Sequence, residues 1–83
     1  MDYTIVTLRF GENAFEVDLE LPLKLSIGEL TKKLLVTLKA IDYERFAHID
    51  GIGLEFQGRR LDLELTLEHY GVWDGSYLTV IEL

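Results

Sequence analysis

Between Tyr3 and Phe10, polar neighbours flank Val6 and Leu8, so the even positions of a first strand are expected to face a core. Gly11-Glu12-Asn13 then supplies residues that tolerate a positive φ, and Phe15, Val17, Leu19 and Leu21 alternate with Glu16, Asp18 and Glu20. This is the clearest strand in the chain, and with the first it makes a hairpin. Pro22 has no amide hydrogen to give a sheet ladder, so it ends that strand or sits at an edge.

The period changes at Ser26. Ser26 and Glu29 have the S-x-x-E spacing in which each side chain satisfies the other's free backbone N–H at a helix start. Ile27, Leu30, Leu34, Leu38 and Ile41 follow at helical spacing, with Lys32, Lys33 and Lys39 turned elsewhere, which predicts one amphipathic helix of about four turns. From Asp42 to Gly51 the period is lost. A loop with one helical turn is expected there, with Phe46 tucked over the core and Asp50-Gly51 as a turn.

Ile52, Leu54 and Phe56 alternate as a third strand, Gly58 makes a corner, and Arg59 to Leu61 leaves room only for a very short fourth. Thr66 to Tyr70 reads as a brief helical turn, Asp74-Gly75 as a corner, and Ser76 to Glu82 as the fifth strand. The order ββαββ, with one helix to cover a mixed sheet of four or five strands, is α+β and describes a β-grasp. Eighty-three residues make a single domain, 1–83, with one small core, so losing a large core residue such as Leu34 should threaten the fold.

Composition narrows the classes of function. The net charge of −7 repels phosphate backbones, so nucleic acid is not an expected partner and a basic one suits the field better. Lys32-Lys33 and Arg59-Arg60, the adjacent basic pairs, are read as solvated surface. Without cysteine there is no disulfide, thiolate metal site or thiol nucleophile. No apolar run approaches the ~20 residues of a membrane span, and the N-terminus lacks the pattern of a secretory leader, so a cytoplasmic protein without membrane insertion is expected.

From Leu54 onward, "LEFQGRRLDLELTLEHYGVWDGSYLTVIEL" resembles the second half of ubiquitin and can be laid on it without a gap, with Leu54, Phe56, Gly58, Leu61, Thr66, Leu67, Tyr70, Ser76 and Leu78 matching. The departures bear on function. Conjugated members of that fold end in a flexible Gly-Gly tail, whereas this sequence reads Ile81-Glu82-Leu83. The isoleucine at the centre of ubiquitin's usual recognition patch corresponds to Glu55, and the lysine most used for chain linkage corresponds to Arg59. "VDLELPLKLSIGELTKKLL" and "LTLEHYGVWDGSYLTV" are similar to the YukD/EsaB family of type VII (WXG100) secretion systems and to the N-terminal cytosolic domain of the EccD membrane component. That resemblance implies a noncatalytic ubiquitin-like interaction module, a bacterial cytoplasmic accessory with a protein partner in a secretion machine. The alternative is a modifier or sulfur carrier activated at its C-terminus from a longer precursor.

Candidate chemistry is sparse. His48 has Glu44 and Asp50 near it in sequence and His69 has Glu68, but two histidines far apart do not make the three or four converging ligands of a metal site. No cofactor, metal or catalytic residue is expected. Gly51-Ile52-Gly53 precedes a strand, where a nucleotide fingerprint would open a helix. Glu16, Asp18 and Glu20 share one strand face and can guard an edge. Trp73, beside the Asp74-Gly75 corner, either caps the core or anchors a partner. If Leu78 and Val80 point inward, Tyr77, Thr79 and Ile81 point outward beside Ile5 and Tyr3. Ile5, Trp73, Tyr77, Thr79 and Ile81, with Leu83 at the margin, are therefore the candidate contact residues for a larger protein or a second copy.

Overall fold

The computed structural model describes residues 2–11 and 15–83. Most of the hairpin turn read at Gly11-Glu12-Asn13 lies outside the described residues, although Gly11 itself has φ +74°, in the left-handed region that favours glycine. Strands β1 (Tyr3–Phe10) and β2 (Phe15–Pro22) pair antiparallel from Tyr3 opposite Pro22 to Phe10 opposite Phe15, with no bulge. Helix α1 (Ile27–Ile41), a short α2 (Tyr43–Phe46), and strands β3 (Ile52–Phe56), β4 (Arg59–Arg60) and β5 (Ser76–Glu82) follow. The sheet is five-stranded and mixed, in the order β2-β1-β5-β3-β4, with β5 parallel to β1 and antiparallel to β3.

Alternation in the strands and a 3.6-residue period in α1 meet in one core. Val6, Leu8, Leu54, Leu78 and Val80 line the sheet's inner face, and Ile27, Leu30, Leu34 and Leu38 are the helix residues buried with them. The expected strand limits hold, including the two-residue β4 after Gly58 and the run Ser76–Glu82.

Three local expectations differ. Ser26 caps α1, its Oγ accepting the Glu29 N–H at 3.2 Å, but no return bond from the Glu29 carboxylate is among the described hydrogen bonds, and the 62–66 loop satisfies the next two amides. Ser26 bridges to Thr66, and the amides of Ile27 and Gly28 donate to the carbonyls of Leu65 (2.7 Å) and Leu63 (2.9 Å), so backbone rather than a carboxylate satisfies these donors. Ile41 belongs to the apolar stripe by spacing yet is exposed in the last turn of α1, where Asp42 ends the helix and its side chain caps α2. Phe46 covers that end of the core, its ring 5.0 Å from Phe10 and 5.1 Å from Phe15. Thr66 to Tyr70 forms linked turns rather than helix, with Thr66 Oγ1 accepting the His69 N–H and the Leu67 side chain fully buried.

The ending Tyr70-Gly71-Val72-Trp73-Asp74-Gly75 is built for the fold. The Tyr70 hydroxyl accepts the Asp62 N–H at 2.8 Å, Val72 is buried, and Gly71 and Gly75 take φ +73° and +91°. Gly75 turns the chain so that its N–H reaches the Ile5 carbonyl at 2.8 Å, starting β5 alongside β1.

Candidate functional site

The outer face of the sheet, opposite α1, is a grid of rows set by strand register. One row runs Glu20, Ile5; the next Asp18, Thr7, Tyr77; the next Glu16, Arg9, Thr79, Glu55, Arg60; and the last pairs Ile81 with Gly53. Alternation sends Leu78 and Val80 inward, so Tyr77, Thr79 and Ile81 do face outward, beside β1.

The candidate residues do not form one continuous patch. Ile5 (50 % exposed) and Tyr77 (51 % exposed) lie diagonally across β1 and β5 at one end, with Tyr3 next to Ile5 on the same face. Thr79 sits in the charged row between Arg9 and Glu55. Ile81 lies beyond that row and lays its side chain over Gly53: a Cβ there would come within 3.2 Å of Ile81 Cγ1 and 3.4 Å of Arg60 Nε. Leu83 is exposed at the far end and shares a shallow groove with Leu35 and Leu63, on the α1 side.

Trp73 combines both of its readings. Its ring meets buried Phe56 edge to face at 6.1 Å, yet 58 % of the residue is exposed, and it lines a small depression with Tyr3, Thr4 and Asp74. Tyr3, Ile5, Trp73 and Tyr77 are thus gathered at the β5-entry end of the sheet.

Charge organises the rest of the face. Arg9 lays its guanidinium 4.1 Å from the centre of the Tyr77 ring and places Nε 3.0 Å from Glu16 Oε2, so one face of Tyr77 is occupied by a cation held in place. Thr7 Oγ1 donates to Asp18 Oδ1 at 2.6 Å. Sequence reading missed Arg9, because its contact with Tyr77 depends on the parallel pairing of β1 with β5, which no local pattern announces.

Asp74 positions this end. Its Oδ1 accepts the Ile5 N–H at 2.9 Å and the buried Thr4 hydroxyl at 3.0 Å, and these two bonds, the backbone one first, hold its carboxyl below the usual carboxylate range. The corner that orients Trp73 and Tyr77 is thereby clamped to the start of β1.

His48 and His69 are both exposed, and His69 rests edge-on against Tyr70. Among the described residues no group of three or more His, Asp and Glu side chains converges as metal ligands. No helix among them is long and apolar enough to cross a membrane. What the outer face offers is recognition chemistry: half-exposed aromatic and aliphatic side chains beside a fixed cation and a line of acids.

A mixed five-stranded sheet in this order, closed by one long helix, is the ubiquitin-like fold. The chain belongs to the family of protein YukD of the WXG100 protein secretion system, whose model matches residues 3–80, and is a ubiquitin-like domain associated with type VII secretion systems. Among solved structures it is similar to the ubiquitin-like domain of the Mycobacterium tuberculosis type VII secretion protein ECCD1: 24 % identity, 99 % of this chain and 100 % of that one covered, TM-score 0.79. The EccD5 ubiquitin-like domain from Mycobacterium xenopi matches at 20 % identity over 98 % of this chain and 94 % of that one, TM-score 0.79. A chain of the MycP5-free ESX-5 inner membrane complex matches at 17 % identity and TM-score 0.81, covering all of this chain and 21 % of that one. These structural likenesses show the fold. No curated protein matches the sequence significantly.

Proposed function

We propose that this chain is a noncatalytic interaction module, an accessory on the cytoplasmic side of a bacterial type VII secretion system that works by surface contact. The observation that carries the reading is the cluster of Tyr3, Ile5 and Tyr77 at one end of the outer sheet face of a YukD-family domain, with Trp73 on the adjoining corner beside Tyr3, all half exposed or more. Exposed aromatics held by a rigid strand pair lose little freedom on binding, which is how such residues come to dominate interfaces. A similar fold within a chain of the ESX-5 inner membrane complex supports a partner in the same kind of machine.

The test is made in a bacterium whose type VII locus encodes the protein. Ile5→Asp is expected to keep the circular dichroism spectrum while losing about 1 kcal/mol of stability, because it sets a second acid opposite Glu20 within a paired strand. It should no longer co-purify with the secretion membrane complex, and export of a WXG100 substrate should fall. Undiminished co-purification and export by the double variant Ile5→Asp/Tyr77→Asp would remove this face from the function.

A further inference from the structure

We propose that the free edge of β2, with the groove between it and α1, is a second docking site that takes an extended segment of a partner protein in which apolar and basic residues alternate. The sheet has two edges, and only one is long. β4 is two residues, whereas β2 runs for eight in unbroken register with β1, and among the described residues no element lies beyond it. Its outer row of amides and carbonyls is a template for one more strand.

Sheet proteins close such an edge with an inward charge, a bulge or a covering element. β2 carries none of these three, and its protection is limited to the outward acids Glu16, Asp18 and Glu20 and to Pro22 at its end. Its inward residues are Phe15, Val17, Leu19 and Leu21, and the first three keep part of their surface exposed. Beside them lies a groove of about 150 Å³ lined by Leu19, Leu21, Leu30, Leu34 and Thr37, with Glu20 and Pro22 on its strand side and Lys33 on its helical side. Alternate side chains of an added strand would enter that groove, where the leucines favour apolar ones. The basic residues therefore belong on the other side of the segment.

On that other side stand Glu16, Asp18 and Glu20. A second copy added antiparallel to continue the sheet would set Asp18 against Asp18 and Glu16 against Glu20, the like-charge pairing that destabilises neighbouring strands. The edge is guarded against its own copies and left open to a basic strand. Glu16 is engaged by Arg9 and Asp18 by Thr7, while Glu20, opposite Ile5, makes none of the described ion pairs and is the acid best placed to receive a cation.

The probe is a short capped peptide alternating lysine and valine, titrated into the isotopically labelled protein at low salt. Shifts should run along residues 15–22 of β2 and 33–37 of α1, and the β2 amides should exchange more slowly. Glu20→Lys should weaken binding about five-fold, the worth of one exposed charge contact, and should favour the glutamate–valine analogue. Val17→Lys, which installs the missing inward charge, should weaken it by at least ten-fold. If Val17→Lys fails to fold, Glu20→Lys, a surface change, still decides. Trp73→Ser, in the proposed contact cluster and away from β2, should leave peptide affinity unchanged, so this site and that cluster can fail separately. Equal binding of a scrambled peptide, shifts confined to Tyr77 and its neighbours, or an unaltered Glu20→Lys affinity would overturn the proposal.

Discussion

Asp74 is a single side chain on which the geometry of one end of the molecule turns. Its bonds to Ile5 and Thr4 span 69 and 70 residues of sequence, as the β1–β5 pairing does, so they help tie the last strand to the first. A carboxyl whose pKa is lower folded than unfolded stabilises the protein fully above the ordinary aspartate value, about 3.9. That contribution is lost as pH falls through the lower folded value. Wild type should therefore unfold at higher denaturant than Asp74→Ala at pH 7, with the gap narrowing below about pH 4. A gap that stayed constant down to pH 2 would deny the ionised form its role. The neighbouring Gly75, at φ +91°, gives a sharper expectation: Gly75→Ala should cost about 1–2 kcal/mol in urea unfolding, because the methyl group penalises the left-handed region and not for want of space.

At the scale of elements, period decides what the sequence discloses. β2 is legible almost to the residue, because strict alternation of apolar with charged residues leaves one choice of inward face, and β5 follows from Leu78 and Val80 on either side of Thr79, although Tyr77 and Ile81 face outward. α1 is legible from its apolar spacing up to its last turn, where the rule fails at Ile41: periodicity does not say where a helix ends. Asp42 decides that, and Phe46 fills the space beyond. The two residues should separate by mutation. Phe46→Ala removes a fully buried ring packed on Phe10 and Phe15 and should cost about 3–5 kcal/mol, enough to bring so small a domain close to unfolding. Ile41→Ala, an exposed position, should stay within about 0.5 kcal/mol by the same measurement. The candidate face was legible only strand by strand. Tyr77, Thr79 and Ile81 follow from alternation, but their division by the Arg9–Thr79–Glu55 row, and the displacement of Leu83 toward α1, depend on which strands are neighbours and in what register.

Over the whole molecule the charge is unevenly spread. α1 carries three lysines and one glutamate, net +2, which leaves −9 on the rest of the chain. The described ion pairs, Arg9–Glu16, Lys24–Asp2 and Arg45–Asp42, all lie at the surface, where each is worth less than about 1 kcal/mol. Salt weakens these pairs, but it also screens the repulsion among the acids, and with so large an excess the second effect should win. Raising ionic strength from about 10 mM to about 150 mM, where the Debye length falls from about 30 Å to about 8 Å, should therefore raise the thermal midpoint by a few degrees. A fall in the midpoint would mean that the ion pairs outweigh the repulsion. Association with a basic partner should respond in the opposite sense, its on-rate falling over the same range because the steering field is screened. Measured together, the two responses separate the field acting within the domain from the field it presents to others. A partner whose on-rate is indifferent to salt would have to dock chiefly through the apolar side chains at the β5-entry end, Tyr3, Ile5 and Tyr77, rather than along the acids of β2.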